Sequence, residues 1–270
     1  MKTIKVGIIG CGVIGSAVAQ AVGERFPRSI RVTYLCDHNK ERALWLRSVL
    51  GRNVKILTAV QLIRLSDVVV EAASGSISAS VARQALQLGK RILIMSVVGL
   101  LEIKNWSELI KKSRGRVWIP SGAITGVDGL IAASQARVRK VQLVTRKPPQ
   151  GLQGAPYFLK HRFPVLKGVE EKRVFRGTAL AAAKAFPQNI NVAAVLSLAG
   201  IGPKKTMVEI WTSRAYRSNR HEVSVEGDFG KMQTVTTNIP SPKNPKTSYL
   251  AVLSAIASLK EMVSSLQSGT

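Results

Sequence analysis

A short apolar run, Ile4-Lys5-Val6-Gly7-Ile8-Ile9, leads directly into Gly10-Cys11-Gly12-Val13-Ile14-Gly15, and a helical pattern starts at once. This is the G-x-G-x-x-G arrangement of a dinucleotide-binding βαβ unit. Gly10 permits the tight turn, Gly12 lets a pyrophosphate approach the backbone, and Gly15 lets the helix pack close to the strand. The first N–H groups of the helix, around Val13 and Ile14, then face the phosphates. A second apolar run, Val32-Thr33-Tyr34-Leu35-Cys36, ends at Asp37. That acid lies about 20 residues on, where a carboxylate binds the adenosine ribose. Asp37 favours NAD by repelling a 2′-phosphate, while His38, Lys40 and Arg42 beside it leave NADP open.

The 270 residues, 46% of them hydrophobic, suffice for one large or two modest domains. The longest apolar runs fall short of a membrane span. The N-terminus is expected to enter the first strand directly, and a signal peptide is therefore not expected. Two cysteines cannot build a disulfide framework, so a cytoplasmic location is expected. Cys11 and Cys36 are expected to be neighbouring, structural thiols. The net charge of +25 raises the question of nucleic acid. The 40 Lys and Arg are scattered, however, and no aromatic residues interleave with a basic stripe. Nucleic-acid contact beyond a non-specific, salt-sensitive kind is not expected.

Residues 1–120 alternate strand and helix patterns, with strands at 4–9, 31–36, 54–57, 67–71, 91–95 and 116–119. This predicts an α/β domain with a Rossmann doubly wound parallel sheet. Ligands bind at the carboxyl ends of such strands. That places Ala73 and Ser74, in the loop after Asp67 to Glu71, among the cofactor contacts. Longer strands follow, at 139–146, 172–178, 206–212, 221–227 and 231–238, with helices at 179–186 and 192–199. Residues 121–245 therefore read as an α+β substrate domain with a largely antiparallel sheet. Segment 147–170 carries four prolines and little periodicity, and reads as a functional or mobile loop. A last helix, at about 247–266 within segment 246–270, is expected to pack back on the first domain.

Three histidines make the search for an acid–base group short. His38 follows the ribose acid and His161 sits in a loop. His221 opens a strand, and its near-neutral pKa suits proton transfer. Asn189 and Asn191 precede a helix, so one is expected to cap it and the other to donate to a carboxamide or carboxylate. Lys246 and Thr247 lie where the last helix is expected to begin. A lysine there is disfavoured by the helix dipole, which leaves two readings: a solvated side chain or one that binds a carboxylate. No paired His/Cys spacing or carboxylate cluster suggests a metal site, and no nucleophile elbow is present.

Several separate blocks are familiar together. They include Gly7 to Gly15, Val70-Glu71-Ala72-Ala73-Ser74, Ile119 to Ile124, Thr145-Arg146-Lys147-Pro148-Pro149, Phe186 to Gly202, Asn219-Arg220-His221 and Asn244 to Ser248. In these blocks the chain resembles the L-aspartate dehydrogenases, nearly end to end. The resemblance implies reversible oxidation of L-aspartate to iminoaspartate with NAD or NADP. The imine then hydrolyses to oxaloacetate and ammonia or feeds NAD biosynthesis. It also implies a homodimer, His221 as the catalytic histidine, and Ala123 and Asn191 as cofactor contacts. Two carboxylates must be held, and Ser121, Gly122, Asn189, Lys246 and Thr247 are the candidate donors. One departure stands out: the family often carries Ala-Asp-Pro before the histidine, where this chain has Thr212-Ser213-Arg214. Residues alone leave open a related amino-acid or homoserine-type dehydrogenase, or a cofactor-binding protein without turnover.

Overall fold

Six apolar runs become six parallel strands: β1 (Ile4–Ile9), β2 (Ile30–Cys36), β3 (Lys55–Ile56), β4 (Val68–Glu71), β5 (Arg91–Ile94) and β6 (Arg116–Trp118). A computed structural model of the chain describes residues 3–26, 28–242 and 244–263. The sheet order is β3-β2-β1-β4-β5-β6, a doubly wound Rossmann topology that reverses beside β1. The runs are near-continuously apolar because helices cover both faces of such a sheet. These helices are α1 (Val13–Arg25), α2 (Lys40–Leu50), α3 (Ala59–Leu65), α4 (Gly75–Gln87) and α5 (Trp106–Lys112). Local chemistry sets their ends. Thr58 and Gln61 close a capping box on α3, and Asn39 accepts the N–H of Arg42 at the start of α2. A 3₁₀ turn, Val97–Glu102, lies between β5 and α5.

The chain divides into two compact units. One is built on Met1–Pro120 and takes in the chain from Val252; the other is built on Ser121–Ala251. The first unit has a core of Val6, Ile8, Val18, Leu35, Val68, Val70 and Leu93, which Ala255, Leu259 and Met262 of the final helix join. Each such side chain contributes roughly 1.5–3 kcal/mol by leaving water.

The second unit is an α+β domain. Its strands are β7 (Val138–Lys147), β8 (Lys172–Thr178), β9 (Met207–Thr212), β10 (Asn219–Gly227) and β11 (Gly230–Asn238), in the order β11-β10-β7-β9-β8. All pairings are antiparallel except β7 with β9. Helices α6 (Val127–Ala133), α7 (Ala179–Ala185) and α8 (Asn191–Ala199) accompany them. Residues of the inward sheet face, such as Val141, Leu143, Val208, Ile210, Val223 and Val225, share a core with Phe186, Ala193 and Leu196. The proline-rich stretch after β7 holds two 3₁₀ turns, and its Tyr157 and Phe158 pack on Phe186 at ring distances of 5.0 and 5.8 Å. An aromatic cluster orders this stretch, which the sequence presents as a loop without periodicity.

The end of the chain differs from expectation. A short ladder joins β12 (Pro240–Ser241) to β13 (Asn244–Ser248), and α9 (Tyr249–Val263) starts only after it. Lys246 and Thr247 therefore lie on a strand, and the helix-dipole argument for Lys246 does not apply. Pro242, Pro245 and the lysines around them hid a strand inside what reads as a loop.

Candidate active site

In the first unit the glycines do separate jobs. Gly10 has φ +96°, and a Cβ there would lie 2.5 Å from the backbone of Ala72. A Cβ on Gly15 would collide with the carbonyl oxygen of Gly10, so helix and strand pack in contact. A Cβ on Gly12 would meet nothing within 4 Å. Gly12 is thus an open position above the start of α1, where no side chain caps the helix and no acid stands in the first turn. Bare N–H groups, including those of Val13 and Ile14, and an open glycine together fit a pyrophosphate.

Around this loop two carboxylates act as braces. Asp37 accepts the N–H of Cys11 at 2.6 Å and of Asn39 at 2.8 Å, and its side chain is only 3% exposed. The exposed imidazole of His38 lies 3.1 Å from it. Asp37 is thereby fixed at the end of β2 while it organises the turn that follows β1. Glu71, fully buried at the end of β4, accepts from the N–H of Ala73 at 2.9 Å and of Ser96 at 3.0 Å. It ties together the loops that leave β4 and β5, and burial raises its pKa. Sequence reading passed over this role, although an acid inside the run Val68-Val69-Val70-Glu71 is a visible signal. Ala73 and Ser74 stand exposed on that loop, Ser74 exchanging a hydrogen bond with Ser76. Cys11 and Cys36 are free thiols, and burial pushes Cys11 up to about 12. Such a thiol is unreactive at neutral pH.

In the second unit, the inward sheet face changes character at one end. β7 runs Val141, Leu143, Thr145, Lys147 along that face, all buried, because side chains alternate with a period of two. β9 runs Val208, Ile210, Thr212, and β10, in the opposite direction, starts at that same end with His221 before Val223 and Val225. Three apolar stripes therefore end together in Thr145, Lys147, Thr212 and His221. His221 and Thr145 are register partners, and His221 Nδ1 shares a 2.9 Å hydrogen bond with Thr145 Oγ1. His221 is 3% exposed. Burial, aided by the charge of Lys147, lowers its pKa to about 3, so the ring is neutral at pH 7. Burial likewise lowers Lys147 to about 8. The Thr212 hydroxyl donates to the carbonyl oxygen of Lys147 at 2.9 Å and pins this strand end.

The other expected residues lie in the same unit. Ala123 is buried, and its carbonyl oxygen accepts from Asn238 Nδ2 at 2.9 Å. Asn238 is the register partner of Asn219, two residues before His221, so Ala123 is tied to the strand pair that carries the histidine. Ser121 and Gly122, half-buried, lie just before it, Gly122 at φ +70°. Asn191 opens α8, whose N-cap is Ile190 without a side-chain cap, so neither asparagine caps this helix from that position. Asn189 is half-buried in the preceding turn. Thr247 is half-buried on β13, and the Lys246 side chain lies outside the described residues. His161 is exposed and stacks on Tyr157 at 3.9 Å, away from the His221 cluster in its contacts. Among the described residues no group of His, Cys, Asp and Glu comes together to hold a metal ion.

Known proteins match both parts of the chain. The aspartate dehydrogenase C-terminal domain matches residues 128–262, and the homoserine dehydrogenase NAD-binding domain matches residues 10–116. The L-aspartate dehydrogenase of Methanosarcina mazei is 43% identical, covering 99% of this chain and 100% of that one. The chain belongs to the L-aspartate dehydrogenase family. The L-aspartate dehydrogenase of Bradyrhizobium diazoefficiens is 36% identical over 99% of this chain and 94% of its own. The crystal structure of the Thermotoga maritima aspartate dehydrogenase superposes with a TM-score of 0.77 at 28% identity, covering both chains in full.

For a member of this family, Ser213 needs a local explanation. It is fully buried, its hydroxyl donates to the carbonyl oxygen of Val169 at 3.0 Å, and it accepts the N–H of Ala215 at 3.2 Å. Ser213 thus fastens the turn between β9 and β10 to the stretch before β8. No helix among the described residues is long and apolar enough to cross a membrane.

Proposed function

We propose that this chain interconverts L-aspartate and iminoaspartate with NAD or NADP, the imine hydrolysing to oxaloacetate and ammonia. The buried Thr145–His221 pair, in a family of aspartate dehydrogenases, carries this reading. When bound at the Gly10 to Gly15 loop, the nicotinamide cofactor supplies the acceptor for the hydride from C2 of the amino acid. Gly12, the first N–H groups of α1 and the loop of Ala73 and Ser74 hold it. Asp37 meets the ribose and favours NAD, with NADP accepted more weakly. Ala123 and Asn191 complete the contacts.

His221 then works on the imine. Loss of hydride from the neutral amine leaves an iminium. For Nε2 to be the base, Nδ1–H donates to Thr145 Oγ1. Nε2 takes a proton from water as the water oxygen bonds to the iminium carbon, giving a carbinolamine. The imidazolium returns that proton to nitrogen, ammonia leaves, and the hydroxyl proton passes to solvent as the keto group forms. A ring whose pKa is low in the free protein holds the proton weakly and returns it readily. Ser121, Gly122, Asn189, Lys246 and Thr247 are the candidates to orient the dicarboxylate. A cytoplasmic homodimer that supplies iminoaspartate to NAD biosynthesis completes the proposal. Light scattering of the purified protein tests the dimer. Substitution of His221 tests the chemistry: His221→Ala should lower kcat by about 10² to 10⁴ while NADH affinity stays within a few-fold.

A further inference from the structure

Lys147 is a buried lysine with no carboxylate partner among the described residues. It is 8% exposed, and among the described residues no carboxylate or hydrogen-bond acceptor partners its ammonium group. Its neighbour on the opposite sheet face, Arg146, pairs with Glu222 at 2.6 Å and Glu171 at 3.5 Å. The carboxylate of Glu71, fully buried in the first unit, has two N–H donors. The hydroxyls of Thr212 and Ser213 donate to the carbonyl oxygens of Lys147 and Val169. Burying an unpaired charge costs several kcal/mol, and a structural role gives no reason to keep it. A methionine would fill the same space at the end of the stripe Val141, Leu143, Thr145.

We propose that Lys147 is the receptor for a carboxylate of the substrate and sets the preference for dicarboxylates, an assignment that rests on the dehydrogenase reading above. The position supports it. Lys147 ends the same inward face that carries Thr145 and His221, and its backbone is pinned by Thr212. A carboxylate seated there lies beside the acid–base histidine. It also offsets the charge that disfavours protonation of His221. The substrate would then remove the smaller of the two effects that lower the basicity of His221, burial being the larger.

The test uses succinate, a dicarboxylate with neither amine nor keto group, titrated into the NADH-loaded protein. Wild type, Lys147→Met and Lys147→Arg are compared, with KM for oxaloacetate at saturating NADH and ammonium measured alongside. Lys147→Met should weaken succinate and raise the oxaloacetate KM by about 10- to 100-fold, with NADH affinity unchanged. Lys147→Arg should recover part of the loss, because it keeps the charge. Succinate binding and KM within threefold of wild type in Lys147→Met overturn the proposal. So does a fall in kcat alone, which would make Lys147 a proton-transfer group. If wild type fails to turn over oxaloacetate, the dehydrogenase reading falls. The succinate titration then still decides: charge-dependent binding keeps Lys147 as an anion receptor, and no binding by wild type removes it.

Discussion

His221 and Thr145 face each other across adjacent antiparallel strands, two buried side chains joined by a 2.9 Å hydrogen bond. The bond fixes the ring plane, and a threonine hydroxyl that accepts from Nδ1–H leaves Nε2 as the base. Thr145→Val keeps the shape and removes the partner. The expected result is a fall in kcat of about tenfold, the worth of one ordinary hydrogen bond, with KM for NADH unchanged. Thr145→Ser should restore most of it. Steady-state kinetics of the three proteins check this.

The low pKa of His221 has a consequence for stability. The unfolded chain binds a proton at about 6.5, the folded one only at about 3. Between these values the unfolded state holds more protons, so stability falls as pH drops from 6.5 towards 3. Each unit of that gap corresponds to about 1.4 kcal/mol. Thermal melts of wild type and His221→Asn from pH 7 to 4 should diverge, the variant losing less. Parallel curves would show that the ring is hydrated in the native state.

Lys147 adds a stability prediction with the same sign of slope. Its folded pKa of about 8 lies below the usual 10.5, so its burial costs most at and below pH 8 and is relieved as pH rises towards 10.5. Lys147→Met should raise stability at pH 7 by about 3 kcal/mol, or roughly 5–10 °C in Tm. A binding residue whose removal stabilises the protein is the usual trade between stability and function. Calorimetry of the variant at pH 7 and pH 10 checks both the gain and its loss.

The glycine loop separates binding from folding. Gly12→Ala puts a methyl group into open space, so the protein should fold with an unchanged Tm and bind NADH about tenfold more weakly. Gly15→Ala drives a methyl group into the carbonyl oxygen of Gly10, so it should lower Tm as well as affinity. Fluorescence titration with NADH, paired with thermal melts, distinguishes the two.

Much of this was legible in the sequence, for identifiable reasons. The strands of the first unit are short apolar runs bounded by glycine, serine or charge, and β1, β2 and β4 fall within a residue or two of expectation. Helix α6 escaped because Val127-Asp128-Gly129-Leu130 is short and holds a glycine at its centre. His221 stood out among three histidines because it opens a strand and matches the family's catalytic histidine. Lys147 did not, since its burial arises only when β9 and β10 flank β7. The period-two run Val141, Leu143, Thr145, Lys147 was the signal that placed it on the inward face. Asp37 was recognised as an acid at the end of β2, but not as a brace for Cys11 and Asn39, because that contact joins residues 26 positions apart.

The most direct measurement is oxidation of NADH and NADPH by the purified protein given oxaloacetate and ammonium. Omission of ammonium, and replacement of oxaloacetate by pyruvate or 2-oxoglutarate, serve as controls. Turnover that requires ammonium, favours oxaloacetate and runs faster with NADH is the expected result. Cofactor binding without ammonium-dependent turnover would contradict the assignment of His221 and Lys147 to aspartate chemistry.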